Sequence, residues 1–100
     1  MSDQINAEDI LKFAQKKWGV KELDRISAKL AEECGEVCGA CVKYFEGRAD
    51  YEDIQDEIGD VLFVLSQLTA LTRDQFSLDE LLRRRIENRH PSFNSTIKQD

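Results

Sequence analysis

Two stretches decide how this chain reads: Leu30-Ala31-Glu32-Glu33-Cys34-Gly35-Glu36-Val37 and Asp56-Glu57-Ile58-Gly59-Asp60-Val61-Leu62-Phe63. In each, acids three residues apart stand beside apolar residues at helical spacing, so a helix carries an acidic stripe next to an apolar one. At about 100° per residue, Glu32, Glu33 and Glu36 fall within roughly a 100° arc. Asp53, Glu57 and Asp60 form the second acidic stripe.

Around the first stretch, Ile26, Leu30, Cys34, Val37, Cys41, Tyr44 and Phe45 recur every three or four residues, which predicts a helix from about Leu23 to Glu46 closed by Gly47. Around the second, Asp50 opens a helix with Asp53 in its following turn. Ile54, Ile58, Val61, Leu62, Leu65, Leu68 and Thr69 form its stripe, and it ends near Leu71 to Arg73. A shorter helix precedes both. Asn6 caps it with Asp9 three residues on, Ile10, Leu11, Phe13, Ala14 and Trp18 follow at helical spacing, and Gly19 ends it. The fourth starts with a capping box, Ser77 and Glu80, and carries Leu78, Leu81, Leu82 and Ile86 to His90 before Pro91.

One proline and five glycines are too few for the tight turns of a small all-β protein. The expectation is an all-α chain, a four-helix bundle in one domain over residues 1–100, with its core at about 7–91 and a tail at 92–100. Phe63, Val64 and Leu71 lie outside the main stripe of the third helix, an excess that reads as a subunit interface. A chain of 100 residues buries only about 60 to 70% of its unfolded surface, so a second copy would complete a marginal core.

Charge and cysteine content narrow the function classes. Fourteen Lys and Arg against 20 Asp and Glu give a net charge of −6, which argues against a general DNA or RNA binder. A helix-turn-helix DNA reader ranks last, because the basic residues cluster at one helix end. No apolar run approaches the roughly 18 to 20 residues of a membrane span, and Met1-Ser2-Asp3-Gln4 does not open a signal peptide. The chain is expected in the cytoplasm, off the membrane. Its three cysteines are then reduced thiols rather than a disulfide framework.

The two long helices are joined by a short turn around Gly47 to Asp50, so they should pack antiparallel, with residues equidistant from the turn facing each other. Counted from Ala49, Glu36 lies 13 residues back and Asp60 11 forward, while Glu33 lies 16 back and Glu57 8 forward. Carboxylates converging at one depth repel one another unless a cation sits among them. Hard oxygen donors select Mg²⁺, Mn²⁺ or Ca²⁺, and Mg²⁺ held by a few carboxylates keeps positions for water and phosphate. Acid pairs at this spacing ordinarily form a solvated helix face; two of them on consecutive antiparallel helices, each beside an apolar stripe, weigh against that reading.

Glu32-Glu33-Cys34-Gly35-Glu36, 20 intervening residues and Glu57-Ile58-Gly59-Asp60 resemble the EExxE and ExxD signature of the MazG-like all-α nucleoside triphosphate pyrophosphohydrolases. The likeness spans about Ile26 to Pro91. It implies a MazG-like bundle assembled as a homodimer or a dimer of dimers, acting on a nucleoside triphosphate. It further implies that Glu33, Glu36, Glu57 and Asp60 bind Mg²⁺, with Mn²⁺ as a substitute, and that the products are a nucleoside monophosphate and pyrophosphate. Glu32, on the same arc as Glu36, is the candidate for orienting or deprotonating the attacking water.

Arg83, Arg84, Arg85 and Arg89 with Asn88 resemble the family's C-terminal segment, in which a basic residue, an Asn four residues later and a following Arg precede a Tyr-Pro-like pair. Here these are Arg84, Asn88, Arg89 and His90-Pro91, with Arg84 where the family usually has Lys. The planar guanidinium fork suits phosphate oxygens, although arginines also suit a solvated C-terminal helix turn. Lys43 is a further phosphate candidate. In relatives, aromatic residues of the N-terminal helix help to enclose the base, which makes Trp18 a candidate for stacking; core packing is the ordinary role for both Trp18 and Phe13.

Cys34, Cys38 and Cys41 do not make a zinc site, which needs four N or S ligands. They read as small core or interface residues, and His90 reads as a helix end. Two other readings share these residues. One is phosphoribosyl-ATP pyrophosphohydrolase, of the same superfamily, separable by substrate competition. The other is a non-catalytic helical module that binds metal or a partner through its acidic face without releasing pyrophosphate.

Overall fold

The computed structural model describes residues 5–72 and 78–93. Its helices are α1 (Ala7–Trp18), α2 (Leu23–Phe45), α3 (Tyr51–Thr72) and α4 (Leu78–Arg89), and the described residues include no strand. The all-α class and the four helices expected from the sequence are therefore observed. The Ser77 cap and most of the 92–100 tail lie outside the described residues.

Local chemistry sets each boundary. Asn6 Oδ1 accepts the Asp9 backbone N–H at 2.8 Å, which caps α1, and Gly19 (φ 86°) ends it with its N–H on the Gln15 carbonyl. After α2, Gly47 takes φ 76°, a left-handed conformation that costs glycine little. Its N–H bonds the Tyr44 carbonyl at 3.0 Å and Arg48 N–H the Lys43 carbonyl at 2.8 Å, the paired bonds of a Schellman motif. Two residues later Asp50 and Asp53 cap α3 reciprocally: Asp53 N–H donates to Asp50 Oδ1 at 3.0 Å, and Asp50 N–H to Asp53 Oδ2 at 2.9 Å. Asp50→Ala should cost about 1 kcal/mol, read as a lower midpoint in urea unfolding with an unchanged slope.

The turn is short, so α2 and α3 form an antiparallel hairpin, with the Tyr44 and Tyr51 rings stacked across its mouth at 4.7 Å. On α2 the buried residues are Ile26, Glu33 and Ala40, seven apart, so the face turned to α3 passes through an acid. α1 also packs on α3: Ala14 is buried, and Phe13 and Trp18 meet the Phe63 ring edge-on at 6.3 and 6.4 Å.

This placement corrects the expectation that Phe63, Val64 and Leu71 form a subunit interface. α3 is the central helix and needs two apolar faces, one for each neighbour. Val64 is buried and Phe63 half-buried within the chain, leaving Leu71 alone of the three exposed. Cys34 and Cys38 are exposed and Cys41 half-buried, all as free thiols, so the cysteines are not core residues. α4 buries no residue and makes only sparse contacts with the other helices. Arg89 ends it, and His90 N–H still bonds the Ile86 carbonyl.

Candidate active site

Glu33 and Glu36 lie one helical turn apart on α2, Glu57 and Asp60 one turn apart on α3, and the antiparallel pairing brings the four together. Each offers a carboxylate oxygen, and these oxygens lie within 4.8 Å of one another. Glu33 is 6% exposed and Glu57 half-buried, whereas Glu36 and Asp60 open to solvent. One oxygen of Glu33 and one of Glu57 are buried with no hydrogen-bond partner. A buried carboxylate oxygen without a donor is costly. Four hard oxygen donors with two orphaned oxygens are what a divalent cation would satisfy, and the absence of nitrogen or sulfur in the set favours Mg²⁺, Mn²⁺ or Ca²⁺ over zinc. The cluster can therefore hold a metal ion.

The sequence reading overlooked Lys29. Its ammonium lies 3.2 Å from Glu33 Oε1 and 3.4 Å from Glu32 Oε1, on the same face of α2 as the cluster. The hydrogen bond that Lys29 donates to Glu33, aided by the charge of Glu32, holds Lys29 above the ordinary lysine value of 10.5. A cation stabilised in the fold contributes stability that is complete below pH 10.5 and is lost as pH rises through its raised value. The signal in sequence was its spacing, three and four residues before the two acids.

Two cavities flank the cluster. The first, about 610 Å³, lies between α1, α2 and α3 and is walled by Leu11, Trp18 and Phe63, with Gln67 beside them and Lys29, Glu33 and Asp60 at its polar side. Trp18 and Phe13 are each 52% exposed, so they are not the core residues that composition favours; they form an aromatic trio with Phe63, of which Trp18 and Phe63 line the cavity. The second, about 790 Å³, lies towards the α2–α3 turn and is lined by Glu36 and Glu57 together with Glu32, Lys43 and Arg48. Glu32 and Lys43 thus line the same cavity as two of the four clustered acids. Arg84, Asn88 and Arg89 are exposed on α4 and line neither cavity. Arg83 is engaged with Asp79 at 2.8 Å.

A helical hairpin with two acids on each arm, meeting beside an aromatic cavity, defines a class of all-α protein whose carboxylate cluster could hold a metal ion. The MazG nucleotide pyrophosphohydrolase domain matches residues 21–93, well over half of the chain, and the chain belongs to that family. Neither a curated protein nor a solved structure matches it. The matched region holds all four acids but not α1, so the aromatic wall at Trp18 comes from outside the segment that defines the family. No helix among the described residues is long and apolar enough to cross a membrane.

Proposed function

We propose that this chain hydrolyses a nucleoside or deoxynucleoside triphosphate to the monophosphate and pyrophosphate, with Mg²⁺ or Mn²⁺ held by Glu33, Glu36, Glu57 and Asp60. The observation that carries the reading is the pair of orphaned carboxylate oxygens inside a four-acid cluster that opens on a nucleotide-sized cavity. When bound, the metal orients the phosphates, offsets charge on the departing pyrophosphate and activates water.

The chain supplies the remaining steps. Trp18 and Phe63 give the base an apolar surface to stack on. Glu32, exposed beside the cluster and paired with Lys29, accepts a proton from the attacking water. The water oxygen forms a bond to the α-phosphorus, the bond from that phosphorus to the α–β bridging oxygen breaks, and its electron pair leaves on pyrophosphate. Lys43, Arg84, Asn88 and Arg89 are assigned to the phosphates, those on α4 acting when that helix meets the site of a second copy.

Self-association has independent support in the surface. The exposed apolar side chains include Val42, Phe45, Ile58, Leu62 and Leu82. A homodimer or homotetramer in the cytoplasm, with no polymeric nucleic acid and no membrane as partner, is the assembly proposed.

The test is pyrophosphate release from a panel of canonical and modified ribo- and deoxyribonucleoside triphosphates, with Mg²⁺, with Mn²⁺ and with chelator. Metal-dependent release of pyrophosphate with the matching monophosphate is expected. Silence across the panel from folded protein that binds Mg²⁺ would overturn the reading and leave phosphoribosyl-ATP, then a non-catalytic role, to be tested.

A further inference from the structure

The four acids divide evenly between the two cavities, which share no lining residue. Glu33 and Asp60 face the first, Glu36 and Glu57 the second. The cavities also differ in chemistry. The first has a large apolar wall. The second has no apolar residue larger than alanine, so it offers a base nothing to stack on. It does offer Lys43, which has no ion-pair partner among the described residues, and Arg48, whose exposed bond to Glu46 is of the kind that contributes little. Gly35 and Gly39 form its floor, and a Cβ built on either meets nothing within 4 Å, so a ligand can approach the α2 backbone closely.

We propose that the substrate lies across the cluster in one direction, its nucleoside in the first cavity and its β- and γ-phosphates in the second, where Lys43 and Arg48 bind the diphosphate. This rests on the pyrophosphohydrolase reading and deepens it. The direction places the α-phosphorus over the cluster, with Lys29 beside it on the nucleoside side. It also sets the form in which the second product binds. Besides Glu36 and Glu57, the second cavity carries Glu32, Asp53 and Asp56, so bare pyrophosphate is repelled and its magnesium complex is the ligand.

The two subsites can be read separately because Trp18, the chain's one tryptophan, lines only the first. The full chain is titrated calorimetrically with magnesium pyrophosphate and, by tryptophan fluorescence, with the monophosphate of the triphosphate that turns over fastest. Magnesium pyrophosphate should bind without changing Trp18 emission and together with the monophosphate, which quenches it; pyrophosphate with chelator should not bind. The double variant Lys43→Ala/Arg48→Ala should bind magnesium pyrophosphate at least about tenfold more weakly, having lost two charge-assisted contacts, with monophosphate affinity changed less than about twofold. Both positions are exposed and alanine favours helix, so folding is not at risk at Lys43. Gly39→Leu, which fills the floor, should weaken pyrophosphate in the same selective way.

Equal pyrophosphate affinity in the wild type and the double variant, or mutually exclusive binding of the two products, would overturn the direction. If the wild type nevertheless releases pyrophosphate from a triphosphate, the enzyme reading stands and only the direction fails. If it releases none, both fall.

Discussion

Asp60→Asn and Glu36→Gln are each expected to lower metal-dependent turnover by about a thousandfold, since a lost metal ligand removes on the order of 4 kcal/mol of transition-state stabilisation. The fold should survive. Both positions are solvent-open, each replacement keeps the side chain's shape, and each removes one negative charge from four acids whose oxygens lie within 4.8 Å of one another. With chelator present, the variants should therefore melt at or above the wild-type temperature. The measurement is kcat with saturating Mg²⁺ alongside thermal melts with and without metal. Turnover near the wild-type level in either variant would return the cluster to an ordinary solvated helix face.

Saturating the chelated protein with Mg²⁺ or Mn²⁺ should stabilise it strongly. At a metal concentration one hundred times the dissociation constant, binding to the folded state alone adds about 2.7 kcal/mol. For a chain of this length that raises Tm by roughly 10–20 °C. The gain has a local source: Glu33 and Glu57 each hold a buried oxygen with no partner, within the cluster where the cation would sit. Glu33→Gln should abolish most of the shift, because the orphaned oxygen and its charge go together. A wild-type melt unmoved by millimolar metal would show that the acids do not converge on an ion.

Both ends of α1, the end of α2 and the start of α3 were legible in the sequence because capping is local. Asn6, Gly19, Gly47 and the Asp50–Asp53 pair act on backbone groups within a few residues, and the structure shows their bonds. The face of α2 was only half legible. Apolar periodicity ran through Cys34 and Cys41, whereas the buried line is Ile26, Glu33 and Ala40. An acid at a core position is invisible to a pattern that counts apolar residues, and it marks where α2 gives up packing to the site. Periodicity likewise could not tell which neighbour would cover Phe63 and Val64, because α1 contributes Phe13 and Trp18 from 45 or more residues away.

By itself the sequence determined the helical class, the hairpin and the four acids, because spacing along a helix and distance from a short turn are one-dimensional quantities. Tertiary structure alone decided that two of those acids carry orphaned oxygens, that Lys29 joins them, and that the cluster separates an aromatic cavity from a polar one. These properties depend on the rotation of α2 and α3 about their axes and on the docking of α1. Such rotations are set by the summed packing of many side chains on three helices, which no single motif records.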